Sequence, residues 1–341
     1  MNSKYEILLV IFQLPVSIML AYIIDKLMGD PLWLPHPVVY MGKLIAFLEK
    51  NIRKAAKTPS ALKIGGGLLW LITVGTSFLL TVFLLKTAFR VNFWLGLSLQ
   101  TLIIWTGIAK KTLYDEAEAV YKTVKEKNIE KARQRIGYLV GRDTKNLSFT
   151  EIIRATVETV AENTVDGVTA PLFYAALGGA PLMMAYKAVN TLDSMVGYKN
   201  EKYQDLGYFS AKIDDIVNFI PARITLVGFI FASAIKGYDY RNAQKMALRD
   251  HKNHTSPNAG WPEAAMAGAL GVQLGGDSVY FGKTVKKPTL GDKIRELEPE
   301  DIIKSATLMK KTSDIMLLLY MMTSIMSLMK IYNLTLLQLI T

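Results

Sequence analysis

Three carboxylates stand four residues apart in the stretch "ETVAENTVDGV", residues 158–168. At this spacing Glu158, Glu162 and Asp166 share one face of a helix, where each like-charged pair repels by roughly 0.2–0.5 kcal/mol. The chain becomes apolar directly after them, and an unpaired carboxylate in an apolar layer is costly. Magnesium, alone or with nucleotide phosphates, would supply the missing positive charge because it prefers oxygen ligands. A solvated helix face is the alternative that the pattern leaves open.

Polar residues beside this stripe and after the next apolar stretch form further candidate binding groups. Asn163 adjoins the stripe, and Asn190 and Asp193 are one helical turn apart. Ionisable groups at this density beside a bilayer are usually functional, although part of the segment could be a loop of solvated charges. The other candidates are Lys199, Tyr203, Asp214, Asp215 and Arg223.

A third polar group lies in "RDHKNHTSPNAGWPEAAMAG", residues 249–268. Asn258 and the prolines predict a rigid loop, and Glu263 opens a helix rich in small residues, whose N-terminus could receive an anion. The spacing of His251 and His254 could also hold a metal, but no third ligand is evident for zinc.

The fourth group is "DKLMGDPLWLPHPVVYMGK", residues 25–43, where Asp30 and His36 stand among prolines that fix the backbone. A plain connecting loop would not need this rigidity. A different segment, "GGDSVYFGKT", resembles a phosphate-binding P-loop but fails its spacing, because five residues instead of four separate Gly276 from Gly282. We therefore predict that any nucleotide binds in another way.

Long apolar segments must position these groups. A helix needs about 20 mostly apolar residues to cross a bilayer, and four segments reach this length: 7–24, 64–85, 91–109 and 315–332. Two more, 167–189 and 216–235, are long enough but contain prolines and polar residues. The prediction is an all-α polytopic membrane protein with four to six transmembrane or re-entrant helices and cytosolic helical loops.

Charge and composition narrow the class further. The net charge is +11, but the basic residues are dispersed, which does not favour nucleic-acid binding. Lys and Arg are frequent in 25–63 and 110–166, so both segments are expected to face the cytoplasm. No cysteine is present, which excludes disulfides, iron–sulfur clusters and a cysteine nucleophile.

We predict one membrane-embedded domain over 1–341. It includes a cytosolic helical hairpin at about 110–160, and the capping-box pair Ser148 and Glu151 opens the helix that carries the acidic stripe.

Four motifs together resemble the adenosylcobinamide-phosphate synthase family of cobalamin biosynthesis, also called the CbiB/CobD family. The likeness covers nearly the whole chain. One departure is Val39–Tyr40, where a basic residue is expected in many relatives. The motifs are "GDPLWLPHPVVYMG", "GRDT…EIIRATVETVAENTVDGVTAPLFYAALGGAP", "NTLDSMVGYKNEKYQDLGYFSAKIDDIVNFIPARIT" and "RDHKNHTSPNAGWPEAAMAGALGVQLGG".

This resemblance implies a multi-pass enzyme of the cell membrane with its active site facing the cytoplasm. Its reaction joins a carboxyl of adenosylcobyric acid, a corrinoid, to the amine of (R)-1-amino-2-propanol O-2-phosphate, aminopropanol or ethanolamine, with ATP as co-substrate and Mg²⁺ as cofactor. In the roles that follow, Glu162, Asp166 and Glu158 hold the metal, and His254, Glu263 and Asp193 are catalytic. Binding roles fall to Asp30, His36, Asn163, Asn190, Lys199, Tyr203, Asp214, Asp215, Arg223 and Asn258.

Two other classes fit the same residues. A transporter also combines broken apolar helices with ionisable groups, but no inverted repeat is visible and the motifs concentrate in loops. A non-catalytic scaffold for other corrinoid-pathway enzymes is the second alternative. The expected partners are the two substrates, the lipid bilayer and other enzymes of the pathway, without nucleic acid.

Overall fold

The computed structural model describes residues 3–31, 33–141, 143–280, 283–285 and 288–340. For 3–11, 278–280, 283–285, 327–328 and 330–340 it describes the backbone only. Helices make up 77% of the chain, which confirms the predicted all-α class.

The helices follow one another with few strands between them. The first seven are α1 (Ser3–Met28), α2 (Pro37–Ala55), α3 (Pro59–Val91), α4 (Phe93–Trp105), α5 (Lys110–Lys125), α6 (Ile129–Ile136) and α7 (Phe149–Asn163). A π-helical turn, Thr164–Thr169, joins α7 to α8 (Ala170–Val196). Then come α9 (Tyr208–Val217), α10 (Phe219–Lys236), α11 (Tyr240–Asp250), a 3₁₀ turn (His251–Asn253), α12 (Gly260–Leu270), β1 (Leu274–Gly275), β2 (Ser278–Tyr280), β3 (Lys283–Val285), β4 (Thr289–Leu290) and α13 (Glu300–Ile340). β1 pairs antiparallel with β4, and β2 with β3.

Three helical segments of the described chain are long and apolar enough to cross a membrane. They are Pro59–Val91, Phe149–Val196 and Phe219–Lys236. The first contains the predicted span 64–85, and the other two contain 167–189 and most of 216–235. These segments confirm a polytopic membrane protein with helical spans.

The predicted span 91–109 is wrong in its length. α3 ends at Val91, and Asn92 adopts an extended conformation (φ −161°, ψ 140°) with its side chain accepting a hydrogen bond from the Trp94 amide at 2.7 Å. The helix that follows has 13 residues. At about 1.5 Å per residue it covers roughly 20 Å, less than the ~30 Å core of a bilayer. The span is shortened at both ends, because the Asn92 cap starts the helix at Phe93 and a turn at Thr106 and Gly107 ends it at Trp105.

The segment 167–189 is irregular, as its prolines and glycines predict. Within α8, Gly178 (φ −149°, ψ 22°) and Gly179 (φ 68°, ψ −163°) leave the helical conformation, and Pro181 follows them. The positive φ of Gly179 suits glycine, which has no Cβ. Non-helical backbone at membrane depth is tolerated where it is sheltered by protein or lines a water-filled cavity. The predicted spans 7–24 and 315–332 lie inside α1 and α13, and part of their side chains lies outside the described residues.

The chain divides into two compact units, each built from separate segments. The first unit contains 1–109, 171–217 and 317–341, and the second contains 110–170 and 218–316. The predicted single domain over 1–341 stays a prediction beside this division.

In the first unit, α3 packs on α2, α4 and α9, and α1 packs on α4. Buried residues of α2, α3 and α8 form one cluster around Leu192 and Leu206. A Cβ on Gly66 would lie 2.0 Å from the carbonyl oxygen of Leu206, so α3 approaches this backbone closely because residue 66 is glycine. The close contact fixes the turn before α9, which carries Asp214 and Asp215.

The second unit contains the segment of the predicted cytosolic hairpin, in which α5 and α6 are followed by α7; its place in the cytosol stays a prediction. α7 opens with the predicted capping box between Ser148 and Glu151. Its apolar face packs on α5, α6 and α12, while α10, α11 and α12 pack on one another. This packing holds the end of α7 beside the start of α12, which is where the candidate site lies.

Candidate functional site

A cavity of about 140 Å³ in the second unit gathers five of the predicted site residues. α7 contributes Glu158, Glu162 and Asn163, the loop before α12 contributes His254, and the first turn of α12 contributes Glu263. The remaining lining residues are Leu139, Val140, Gly141, Thr159, Asn253, Gly275, Gly276, Pro288 and Leu290. Two sequence groups separated by about a hundred residues therefore meet in one pocket.

The acidic stripe on α7 does not continue as predicted. Glu158 and Glu162 line the cavity, whereas Asp166 lies in the π-helical turn and is not a lining residue. A π turn has wider hydrogen-bonded loops than an α-helix, so it shifts Asp166 away from the regular four-residue spacing. The role of Asp166 as a metal ligand stays a prediction.

Glu158 has protein partners that supply positive charge. Its Oε1 accepts a hydrogen bond from the Gly275 amide at 2.8 Å and lies 3.9 Å from Nε of Arg154. Arg154 in turn donates to the carbonyl of Asp277 at 3.0 Å. Sequence reasoning missed Arg154, although its position four residues before Glu158 could have indicated the pair. The predicted metal role of Glu158 competes with this function in holding the glycine turn.

The amides of the turn formed by Gly275 and Gly276 donate hydrogen bonds to other groups of the protein. Gly275 and Gly276 have φ values of 73° and 79°, which favour glycine. The Gly275 amide donates to Glu158 and the Gly276 amide donates to the carbonyl of Pro288 at 3.2 Å. Two amides of this turn are thus occupied, in line with the rejection of a P-loop. Residues 281–282 of that motif lie outside the described residues.

His254 and Glu263 form the pair that best suits proton transfer. Nε2 of His254 lies 3.6 Å from Oε1 of the buried Glu263. The Ser256 amide donates to Nδ1 of His254 at 3.0 Å, and the Ser256 carbonyl lies 3.3 Å from the same atom, so the Ser256 backbone orients the ring with Nε2 towards Glu263. Gly260 permits this arrangement, since a Cβ there would lie 2.9 Å from the His254 side chain.

Arg223 is held in the first turn of α10. Its Nη1 donates to Asn258 Oδ1 at 3.1 Å and to the Phe219 carbonyl at 2.7 Å, and its guanidinium lies 3.5 Å from the Phe219 ring centroid. The helix N-terminus adds positive potential. Arg223 and Asn258, predicted from the sequence as separate binding residues, are therefore in direct contact.

His251, the other histidine of the pair with His254, has a different role. His251 stacks on Trp261 at 3.7 Å between ring centroids, and its Nδ1 lies 2.9 Å from the Ala247 carbonyl. Arg223 lies 5.2 Å from the same Trp261 ring. Throughout the described residues, no group of three or more His, Asp and Glu side chains could hold a metal by itself. The geometry thus gives no support to a zinc site.

In the first unit, Asp30 and His36 form a contact before α2. Nε2 of His36 lies 3.9 Å from Oδ1 of Asp30, and Nδ1 accepts a hydrogen bond from the Val38 amide, which caps α2. Burial lowers the pKa of His36 below its usual range; Asp30 opposes this shift and Lys187 adds to it. The loop rigidity predicted from the prolines has a structural use here, because it positions a helix cap.

Asp193 and Asp215 make up the acidic part of a second cluster in the first unit. The two carboxylates interact electrostatically, and Lys199 acts on both. Burial raises the pKa of Asp215, while Lys212 and Lys199 act to lower it. A Cβ on Gly197 would lie 2.0 Å from Oδ1 of Asp193, so glycine makes room for this carboxylate. Sequence reasoning missed Lys212, which lies three residues before Asp215.

The other predicted binding residues of this unit are more dispersed. The ring of Tyr203 lies 5.2 Å from the Arg53 guanidinium and 4.6 Å from Lys202 Nζ. Asp214 lies in α9 within electrostatic range of Tyr174, and Asn190 lies on α8 one turn before Asp193. The predicted residues thus separate by unit, with Asp30, His36, Asn190, Asp193, Lys199, Tyr203, Asp214 and Asp215 in the first and Glu158, Glu162, Asn163, Asp166, Arg223, His254, Asn258 and Glu263 in the second.

The cavity of the second unit fits magnesium that arrives with phosphates. Magnesium is usually held by one or two carboxylates together with substrate phosphates and waters. Glu162 provides a carboxylate beside the Asn163 amide, while Glu263 faces His254. This donor set is consistent with the absence of a complete three-ligand cage among the described residues.

Comparisons with known proteins identify the family of the chain. The family model described as "CobD/Cbib protein" matches residues 18–309, which is most of the chain. The chain belongs to the CobD/CbiB family. The match includes both the pocket of the second unit and the acidic cluster of the first.

Several members of the CobD/CbiB family resemble the chain over almost their full length. A cobalamin biosynthesis protein CobD of Clostridium tetani is 48% identical over 308 residues, covering 90% of this chain and 97% of the relative. CobD of Clostridium acetobutylicum is 46% identical, covering 89% and 96%. A cobalamin biosynthesis protein CbiB of Salmonella arizonae is 44% identical, covering 88% and 94%. No solved structure matches the chain.

Proposed function

We propose that the protein acts in cobalamin biosynthesis as an ATP-dependent amide ligase. In this reaction a carboxyl group of adenosylcobyric acid is joined to the amine of (R)-1-amino-2-propanol O-2-phosphate, aminopropanol or ethanolamine. The observation that carries the proposal is the meeting of Glu162, Asn163, His254 and Glu263 in one cavity of a CobD/CbiB family member. The curated relatives, named cobalamin biosynthesis proteins, support the pathway.

The reaction requires activation of the carboxylate. An amine does not displace an oxide from a carboxylate at neutral pH because the leaving group is too poor. In the proposed first step, a carboxylate oxygen attacks the γ-phosphorus of ATP, the bond from that phosphorus to the bridging oxygen breaks, and ADP leaves. The amine nitrogen then attacks the acyl carbon and inorganic phosphate leaves with the former carboxylate oxygen. One proton is released from the nitrogen.

Glu162 and Asn163 are the residues we assign to the metal and its phosphates, with Asp166 as a further candidate ligand. Bound magnesium would neutralise the charge of the phosphates. Glu158 keeps the glycine turn at the wall of the cavity through Gly275. Phosphoryl transfer depends mainly on positioning and charge neutralisation, so the rigid placement of the side chains on α7 serves the first step.

His254 and Glu263 are the residues we assign to the second step. A positioned histidine or carboxylate accelerates a reaction by about 10²–10⁴-fold through proton transfer. Nε2 of His254 faces Oε1 of Glu263 at 3.6 Å, so one member takes the amine proton while the other stabilises the resulting charge. Both side chains line the cavity with Glu162.

Binding roles belong to the remaining predicted residues. Arg223, oriented by Asn258 and Phe219, presents a guanidinium suited to a phosphate oxygen. Lys199 beside Asp193 and Asp215 combines a cation for phosphate with carboxylates that hold it in place. Further contacts to the corrinoid or the amino alcohol are proposed for Asp30, His36, Asn190, Tyr203 and Asp214.

The proposed location is the cell membrane, with multiple crossings and the site facing the cytoplasm, where both substrates are found. The chain lacks cysteine, so Gln204→Cys and Tyr240→Cys each introduce a single label site. Both are expected to react with a membrane-impermeant maleimide only after the cytoplasmic side is opened. Labelling of position 204 from outside alone would contradict this orientation.

One assay tests the function against its rivals. Purified protein is mixed with adenosylcobyric acid, the amino-alcohol phosphate, ATP and magnesium, and the corrinoid is followed by mass spectrometry. The expected product has the mass of the condensed amide and forms only with ATP. No ATP-dependent increase in mass would contradict the ligase and leave a transporter or a scaffold.

A further inference from the structure

A groove of about 560 Å³ in the first unit lies beside the break in α8. The proposed reaction uses none of its residues. Its lining residues are Val82, Leu85, Lys86, Phe89 and Arg90 on α3, Gln100 on α4, and Gly178 and Pro181 on α8. The groove combines an apolar wall with two cations, which is the chemical pattern of an amphiphile site.

Among the described side chains, no carboxylate lies close enough to pair with the two cations of the groove. Lys86 and Arg90 are exposed on α3 and stand four residues apart, on one face of the helix. Within the part of the chain that the structure describes, neither is within ion-pair distance of a carboxylate. Like charges at this spacing repel. An anion that contacts both side chains would relieve the repulsion.

The irregular backbone of α8 adds a polar floor. Gly178 is exposed and non-helical, and the helix resumes around Pro181. The first amides of a resumed helix lack intrahelical partners and carry positive potential. Gln100 is 6% exposed and donates to Ser17 at 3.0 Å, so a polar side chain is fixed at the same place. Such a floor suits a polar headgroup better than an acyl chain.

The wall above this floor is apolar and opens onto the outer surface of α3. Val82 and Leu85 form it. Phe89 packs directly against Gly96, because glycine has no Cβ; a Cβ there would lie 2.2 Å from the Phe89 ring. The exposed face of α3 continues with Leu79, Leu80 and Phe83; exposed apolar residues of this kind face lipid in a membrane protein. The acyl chain of a bound amphiphile can therefore extend from the groove along this face of α3.

We propose that this groove binds one anionic phospholipid of the surrounding bilayer. The phosphate of the headgroup lies between Lys86 and Arg90, and an acyl chain follows Val82 and Leu85 along α3. Charge complementarity with two unbalanced cations selects an anionic over a zwitterionic headgroup.

Native mass spectrometry of the full chain in detergent tests the proposal with phosphatidylglycerol and phosphatidylcholine as probes. Lys86→Gln with Arg90→Gln is expected to lower the affinity for phosphatidylglycerol roughly thirtyfold, since each basic side chain near an anionic lipid contributes about fivefold. The matched control is Lys50→Gln with Lys54→Gln, an exposed pair with the same spacing on α2, which should leave the affinity unchanged. Val82→Trp should weaken binding by filling the groove while the cations remain.

The charge-conserving double variant Lys86→Arg with Arg90→Lys should retain the lipid and shows that the helix still folds. Equal losses in the α3 and α2 double variants would overturn the proposal, because they would indicate attraction by overall charge. Equal binding of phosphatidylcholine, or displacement of phosphatidylglycerol by an equal concentration of inorganic phosphate, would also overturn it.

Discussion

The acidic cluster of the second unit and that of the first unit both border apolar helices, but different groups neutralise them. In the second unit, the partners are a backbone amide and Arg154 at Glu158, and His254 at Glu263. In the first unit, lysines act on Asp193 and Asp215. A carboxylate paired with histidine can exchange a proton near neutral pH, whereas lysine partners suit the binding of a charged substrate. We therefore expect the second unit to govern the rate and the first to govern substrate affinity.

Glu162→Gln should have the largest effect. A small effect would contradict the expectation that the second unit governs the rate. The substitution removes the carboxylate assigned to the magnesium–phosphate group in the cavity, so turnover should be abolished. The thermal unfolding temperature in detergent should stay close to that of the wild type. Turnover at the wild-type magnesium dependence would remove Glu162 from the metal site.

Glu263→Gln should lower kcat by about 10²–10⁴-fold, the usual contribution of proton transfer. KM should change little, because the side chain acts on the proton and not on substrate affinity. Steady-state kinetics measures both constants. The exposed Glu130→Gln is the matched control, and an equal loss there would point to a general effect of charge.

Asp215→Asn should raise KM roughly tenfold and leave kcat within a few-fold of the wild type. The carboxylate acts electrostatically on Lys199, and losing about 1.4 kcal/mol of binding free energy corresponds to a tenfold change in affinity. The same kinetic assay measures the effect. A loss in kcat with an unchanged KM would contradict the binding role of the first unit.

Glu158→Ala should lower the free energy of unfolding by about 1–3 kcal/mol, because the half-buried Gly275 amide loses a charged acceptor. Glu158→Gln keeps an acceptor oxygen and should cost less. Chemical denaturation in detergent checks both variants. Equal stability of the alanine variant and the wild type would show that Glu158 does not anchor the glycine turn.

The smallest expected effect is on the pH dependence of stability in the first unit. Burial lowers the pKa of His36 below its usual value of 6.5, so the unfolded state binds the proton more readily. The stabilising contribution is therefore present above pH 6.5 and is lost as the pH falls towards the pKa of the folded state. His36→Asn keeps a helix cap without titrating, so its unfolding temperature should depend less on pH between 7 and 5. An unchanged slope would exclude His36 as the source.

The sequence predicts the elements of the fold more closely than their breaks. The apolar run of α3 and the capping box of α7 are local features, and both appear as predicted. The end of the run at Asn92 was missed, because one polar residue in a long apolar segment gives a weak signal until its side chain caps the next helix.

The candidate site shows a similar limit. The pairing of His254 with Glu263 and the cavity they share with Glu162 depend on the packing of α7 against α12, which residue spacing alone does not encode. The four-residue rule predicted Asp166 on the same stripe, but the π turn changes the geometry after Asn163. The pairing of Glu158 with Arg154 could have been predicted from the sequence, since Arg154 stands one helical turn before Glu158.

We propose that the cavity on α7 and α12 carries out the reaction while the first unit binds substrate. The most direct measurement is a single-turnover assay of Glu162→Gln and Asp215→Asn, with saturating substrates, in which the amide product is followed by rapid quench and mass spectrometry. We predict a rate below about one hundredth of the wild type for Glu162→Gln and a nearly wild-type rate for Asp215→Asn. A wild-type rate for Glu162→Gln together with a slow Asp215→Asn would contradict it.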